Sequence, residues 1–507
     1  MKETSITNLL LVIFFGLTAF LIIPYHEMWR DELQAWLIAK NSASILELLA
    51  NVKYEGSGVL WHLLIYPLTK ASLAPESMQY LHISISTLTV LVIAKWSPFT
   101  TTQKILLCFG YFIFYEYSLI ARNYAIGTLL IFLFCALFPK RNIYPIRLAL
   151  VLGLLFHTSA FGLIVGICLM ATVIFEDFMV KKWKEEKINI HLSKSKLIAI
   201  TLAAIGLISA ILQIIPPSDG TYASEWHFYP SLSIAYHSYV ALVSAYFPLP
   251  ILDINFWNNT FLTSNKSLVI VNFPLIILTL YLFLRFFIAK PSSLFFFSAS
   301  SFALILFFYV KFGGDLRHHG FLFITLISSI WIYHNSKSLK LKQIPNFLQS
   351  IRLASVNPLI NIILAVHFLS SIIALSVDYR FDFSSARQTA DFLKMNKLTD
   401  SEIIGYSSST MIPISGYLEG KEIFFLDENR YGTYKKWNLK KMNDVNSSLI
   451  NSTALDLSLS EKKVLLILNS PVEEYFNSNH DFKKIFESND SVIKDEKFYV
   501  YDFISAQ

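Results

Sequence analysis

The chain has 507 residues, 54% of them hydrophobic and only 15% charged, with a mean hydropathy of +0.50. That is more apolar surface than a soluble domain needs to fill its core, so much of it must face lipid. The net charge of +6 comes from lysines and arginines dispersed between apolar runs, which reads as a set of topology signals and excludes a nucleic-acid footprint.

Lys2 precedes an apolar stretch from Leu9 to Ile23 that resembles a signal peptide. No small-x-small cleavage site precedes Tyr25-His26-Glu27, so the stretch is expected to remain as an anchor. A spanning helix needs about 20 mostly apolar residues. On that criterion roughly eleven spans are expected, near 7–24, 76–94, 104–119, 123–138, 146–157, 159–176, 197–215, 267–289, 294–310, 320–334 and 358–377. Between 146–157 and 159–176, His157-Thr158 leaves only a minimal turn, and losing the shorter run would invert everything downstream. Cys108, Cys135 and Cys168 all lie in apolar segments, at spacings that suit neither a metal site nor a disulfide framework.

Alternate loops hold Lys95 and Lys104; Lys140, Arg141 and Arg147; Lys181, Lys182, Lys184, Lys187, Lys194 and Lys196; Arg285 and Lys290; and Lys337, Lys340, Lys342 and Arg352. By the positive-inside rule these are cytoplasmic. In the opposite loop from Pro216 to Lys266, only Lys266 is basic. An odd number of spans then places the N-terminus in the cytoplasm and the C-terminal region outside, as expected of an integral plasma (inner) membrane protein.

From Asp378 the composition turns polar. A helical segment near Ser384–Leu393 precedes strand-length runs at Glu402-Ile-Ile-Gly, Glu422-Ile-Phe-Phe-Leu and Lys463-Val-Leu-Leu-Ile-Leu. The expected fold is a polytopic α-helical membrane domain over 1–377 with a small extracytoplasmic α/β domain over 378–507. No fixed-period repeat or low-complexity tract is present.

The first outer loop, 25–75, has Trp29, Leu33, Trp36, Leu37 and Leu48 at helical spacing among polar residues, as expected of helices lying along the membrane interface. It opens with Trp29-Arg30-Asp31-Glu32-Leu33, two adjacent carboxylates just beyond the first span. The bland reading is a solvated helix start, favoured by the helix dipole. The functional reading gains from the cations expected on the same side: Lys53, Arg122, and Lys311 with Arg317, His318 and His319. A carboxylate facing several cations can act as a base while they clamp an anion, which suits sugar transfer from a lipid phosphate. Bland alternatives are a snorkelling anchor for Arg122 and a loop salt bridge from Arg317 to Asp315. The outer-loop histidines at 26, 62, 157, 227 and 237 form no ligand pair such as HExxH, so no motif supports a divalent metal and no cofactor is expected. Trp29, Trp36, Trp61, Tyr66, Trp226 and Trp257 fall where an aromatic belt would put them, and one or two of them have the faces needed to stack on a sugar.

The Asp31-Glu32 pair, the Gly58-Val-Leu-Trp-His-Leu-Leu run, Ala121-Arg122-Asn-Tyr124-Ala125 and the outer C-terminal domain together resemble the GT-C glycosyltransferases. The likeness is to the superfamily of protein O-mannosyltransferases and lipid A aminoarabinose transferases. It implies that Asp31 takes the acceptor's proton with Glu32 in support, and that the donor is a polyprenyl-phosphate sugar. The acceptor would be a lipid, glycan or protein on the outer side. Arg122 and Arg317 are then candidates for holding the donor phosphate, helped by Lys53 and a protonated His318. One departure is plain: where related sequences carry a His-Pro segment, this chain has Tyr54-Glu55-Gly56-Ser57-Gly58. The competing classes are a transporter or flippase of a lipid-linked glycan, which calls for mid-span charges and repeated topology, and a non-catalytic protein of the same fold.

Overall fold

In lipid, every backbone N–H and C=O must be satisfied within its own segment, so apolar runs become helices. The computed structural model describes residues 2–177, 193–223, 226–336, 356–438, 445–459, 462–474 and 481–504, and they are mostly helical. Six helices are long and apolar enough to cross a bilayer: Ile6–Tyr25, Glu76–Trp96, Lys194–Ile214, Val269–Phe287, Pro291–Val310 and Asn357–Asp378. Three shorter apolar helices, Tyr124–Lys140, Pro145–Phe156 and Ala160–Phe175, pack among them. This is the make-up of an integral membrane protein.

The first half of the chain runs α1 (Lys2–Ile22), α2 (Arg30–Asn41), α3 (Ile45–Val52), α4 (Leu60–Lys70), α5 (Glu76–Trp96), α6 (Thr101–Cys108), α7 (Tyr124–Leu137), α8 (Pro145–Phe156) and α9 (Ala160–Phe175). The sequence predicts one span over 104–119, but α6 stops at Cys108 and a nine-residue π-helical segment, Tyr111–Leu119, follows. The break falls at Gly110, which is extended and sits where a Cβ would lie 2.9 Å from the Leu106 carbonyl. Every residue of the wide turn is buried. Its Glu116 carboxylate accepts hydrogen bonds from the Tyr111 hydroxyl (3.2 Å) and the Trp257 indole (3.1 Å). Such π-helical turns gather at functional sites.

Helices α5 and α7 both begin at the bundle end that holds His26 and Arg122: Gln79 donates to the His26 carbonyl, and His82 contacts the Arg122 backbone. Lys95 in the last turn of α5, and Lys140 in the short turn just after α7, therefore lie at the other end. There Lys104 reaches Asn8, and Arg141 pairs with Glu176. Of the basic residues counted as cytoplasmic, Lys181, Lys182, Lys184, Lys187, Lys337, Lys340, Lys342 and Arg352 lie outside the described residues.

The C-terminal domain has six strands, β1 (Glu402–Tyr406), β2 (Ile423–Phe425), β3 (Arg430–Gly432), β4 (Val464–Leu468), β5 (Phe482–Glu487) and β6 (Tyr499–Phe503), in the order β3-β2-β1-β4-β6-β5. β1 pairs in parallel with β2 and β4, and the other pairings are antiparallel. β4 is buried throughout, as a central strand covered on both faces must be. Helices Ala386–Met395, Ser408–Tyr417 and Ser447–Ser458 flank the sheet.

This domain sits on the loop 25–75, which corrects one expectation. Leu33, Trp36 and Leu37 of α2 are buried within the protein, with Leu33 against Gly416 and Leu37 against Gly420. They do not lie on the bilayer. The apolar face of α2 has an alternative to lipid because the domain covers it. α3 still presents Ile45 and Leu46 outward, 53% and 78% exposed, as an interfacial helix would, while Leu48 turns inward.

Candidate active site

Asp31 lies in the first turn of α2, and two distant parts of the chain converge on it. Its Oδ2 is 3.0 Å from Arg122 Nη1 and 3.3 Å from Arg317 Nη2. Arg122 also donates to the Asp31 carbonyl (2.8 Å). Oδ1 accepts no hydrogen bond among the described residues. The convergence spans sequence separations of 91 and 286 residues.

Both arginines are braced. The turn carrying Arg122 is held from two sides: Glu32 Oε1 accepts the Ala121 N–H (2.6 Å), and the His82 ring contacts the Ser118 and Arg122 carbonyls (2.9 Å each). Arg317 lies over both Trp29 and Trp257, 5.3 and 5.1 Å from ring centres that themselves meet edge to face at 4.7 Å, and also pairs with Asp315 (3.0 Å). The loop bridge offered as the bland alternative therefore coexists with the contact to Asp31.

A cavity of about 200 Å³ opens beside Asp31, lined in part by Glu55, Trp61, His62, Arg122, Asn123 and Tyr222. Its wall is shaped by a close approach: Gly58 meets the His157 carbonyl where a Cβ would come within 2.2 Å, and the Leu60 N–H donates to that carbonyl (3.0 Å). Asn123 ties the same corner together through Ser57 Oγ and the Thr158 carbonyl, both at 2.8 Å. Gly56, with φ of +58°, turns the chain against the Tyr222 ring. The roof comes from the C-terminal domain. Gln34 pairs reciprocally with the Lys435 backbone (2.7 and 3.1 Å), the Thr221 N–H donates to the Trp437 carbonyl (3.0 Å), and Trp437 lines the cavity.

Glu55 is the second carboxyl group here. It accepts a hydrogen bond from Gln34 (2.9 Å), and burial pushes it up to about 7 despite Arg122 nearby. Burial and the Arg122 charge push His62 down to about 3, leaving it a neutral imidazole.

The other residues singled out in the sequence fall elsewhere. Glu32 is fully buried and absent from the cavity wall. It caps α2 through the Trp29 N–H (3.3 Å) and contacts His26 (3.4 Å). His26 in turn contacts Asp378 (2.9 Å). Burial alone would lower His26, but Asp378 and Glu32 outweigh it and carry it to about 10. His318 cannot be the protonated helper expected, because its Nδ1 accepts the Asp315 N–H (2.8 Å) and caps the helix Leu316–Asn335. Lys53 sits in the short turn before Glu55, makes no ion pair among the described residues and does not line the cavity. Among the described residues no group of three or more His, Cys, Asp or Glu side chains is placed to hold a metal ion.

No protein-family model matches this chain, and no curated protein does so either. The site is therefore read from its own chemistry: a carboxylate with one open oxygen, two guanidinium groups beside it, a second carboxyl near neutrality, and a small cavity at the bundle end covered by a domain.

Proposed function

We propose that this protein is an integral-membrane glycosyltransferase that moves a sugar from a polyprenyl-phosphate donor to an acceptor on the extracytoplasmic face. The observation that carries the reading is the meeting of Asp31 with Arg122 and Arg317 beside a cavity, lined by Asp31 and Arg122, at the domain-covered end of the bundle. In this reading about eleven segments traverse the bilayer, the N-terminus is cytoplasmic and the C-terminal domain lies outside. The basic turns at the far end of the bundle agree with that orientation.

The donor phosphate displaces Asp31 from the two guanidinium forks, whose planar donors match phosphate oxygens. Asp31, released from the arginines, takes the proton of the acceptor hydroxyl. The acceptor oxygen bonds to the anomeric carbon from the side opposite the phosphate, and the bond from that carbon to the phosphate oxygen breaks. The electron pair leaves on polyprenyl phosphate, stabilised by Arg122 and Arg317, and the anomeric configuration inverts. Glu55 supports a second assignment of the base within the same reaction, since it shares the cavity and its carboxyl is poised near neutral pH.

The test is transfer by the purified chain, supplied with synthetic polyprenyl-phosphate sugars and membrane extract as acceptor. Asp31→Asn should lower turnover about 10²–10⁴-fold, the usual contribution of a general base, with expression and melting temperature little changed. Full turnover by that variant removes Asp31 from the reaction.

A further inference from the structure

A second cavity, of about 510 Å³, runs between α1, the break at Gly110 and the helix Asn357–Asp378. Its α1 wall is the stripe Asn8, Leu11, Phe14, Thr18 and Ile22, residues three or four apart that share one helix face. At 1.5 Å per residue the stripe is about 21 Å long, a large part of a hydrocarbon core about 30 Å thick. The break after Cys108 shapes the opposite wall. Phe109 and Phe114 flank it with ring centres 5.1 Å apart, and Phe14 closes on Phe109 at 5.5 Å. Leu10 and Phe14 on the rim are 59% and 63% exposed, so the groove opens sideways, where a membrane protein meets lipid.

The two ends of this groove differ. Near Asp31 it closes on Ile22 and Leu375, both apolar, and at the far end it is lined by Asn8, Thr101 and Lys104. Lys104 donates to the Ala94 carbonyl (2.7 Å) and to the Asn8 side-chain oxygen (3.4 Å). An ammonium has three donors, and no carboxylate pairs with this one among the described residues. Thr101 opens α6, at the positive end of that helix's dipole. An apolar slot ending at a cation is complementary to a molecule with one long apolar chain and an anionic head, and basic pockets between membrane helices bind such heads. A polyprenyl-phosphate donor has the same two parts, but its phosphate belongs beside Arg122 and Arg317, at the end where the groove offers only Ile22 and Leu375. A phospholipid of the remote leaflet brings its head to Lys104 instead. Phosphatidylcholine carries an ammonium beside its phosphate and gains less from the lysine than a lipid with net negative charge.

We infer that this groove seats one acyl chain of an anionic phospholipid from the leaflet remote from Asp31, with the head-group phosphate at Lys104. The inference rests on the proposed function only in assigning the donor's phosphate to the opposite end of the bundle.

The experiment is native mass spectrometry on the full chain, delipidated in detergent and titrated with phosphatidylglycerol or phosphatidylcholine of identical acyl chains. One phosphatidylglycerol should bind about fivefold more tightly than phosphatidylcholine, the usual contribution of one lysine near a membrane surface. Lys104→Gln should erase that preference and Lys104→Arg should keep it. Thr18→Phe fills the groove at mid-length and should weaken both lipids about tenfold, the worth of roughly two buried methylene groups. Should Thr18→Phe fail to fold, the two Lys104 variants still decide the matter. Equal binding of the two lipids by the parent overturns the inference, as does a preference that survives in Lys104→Gln. Displacement of the bound lipid by sugar-free polyprenyl phosphate also overturns it, because the groove then belongs to the donor. Asp31→Asn should retain the lipid as the parent does. Lipid selectivity in a chain without transferase activity keeps the inference and removes the reaction, and an active enzyme without that selectivity does the reverse.

Discussion

Arg122 and Arg317 make the same contact to Asp31 Oδ2 but are held differently, and that difference is measurable. Arg317 also packs over two tryptophans and pairs with Asp315, so Arg317→Ala should lower the melting temperature more than Arg122→Ala. Both should weaken binding of sugar-free polyprenyl phosphate about tenfold, read by native mass spectrometry. Unchanged lipid affinity in both variants returns them to structural roles. Glu55 makes a pH prediction. Its carboxyl titrates near 7 in the folded protein against an ordinary 4.5, so the folded state holds this proton more tightly, and the stability it contributes is lost as pH rises from 4.5 to 7. If Glu55 is the base, transfer should climb through pH 7, and Glu55→Gln should flatten that limb. A profile identical to the parent's assigns the base to Asp31. At this scale the sequence was legible where a charge stood beside an apolar run, which is how Asp31, Arg122 and Arg317 were found. Adjacency misled for Glu32: neighbours on a helix point about 100° apart, so only one of the two acids faces the cavity. Glu55, His62 and Asn123 fall within runs quoted from the sequence but were given no role at the Asp31 site, because their convergence depends on Gly58 packing against His157.

Among the elements, the ends of α1, α2 and the helix Asn357–Asp378 are fastened by one imidazole. His26 is raised from 6.5 to about 10 by Asp378 and Glu32 against the opposing effect of burial. The stability it contributes is therefore complete below pH 6.5 and lost as pH rises through 10. The melting temperature in nanodiscs should fall by a few degrees between pH 7 and pH 10, and His26→Gln should start lower and lose that slope. An unchanged slope would show that the fastening lies elsewhere. Apolar length made the helices legible, and alternating or continuous apolar runs made β1, β2 and β4 legible. The strands β3 and β5, Arg430-Tyr-Gly and Phe482-Lys-Lys-Ile-Phe-Glu, were not singled out, because one is three residues long and the other carries charges on an edge. The π-helical turn was hidden for a different reason: hydropathy records burial, and a wide turn is as apolar as a regular one.

Across the whole molecule, the domain and the bundle are joined through Arg30, whose guanidinium makes two parallel hydrogen bonds to Asp495 (2.6 and 2.7 Å). Arg30→Ala should speed proteolytic release of the C-terminal domain near residues 379–385 several-fold while leaving the membrane helices intact. Cleavage at the parent's rate would mean that the apolar contact of Leu33 with Gly416 suffices. The sequence divided the chain into apolar and polar parts, but it did not show which contacts bring the second part onto α2. That closure orders events during biosynthesis. The roof residue Trp437 and its anchor Lys435 follow the final apolar helix, so the ribosome makes them only after the arginines and Asp31 are already inserted. The nascent protein therefore carries an uncovered site, and on the proposed function no donor can be engaged productively until the last domain has folded down over it.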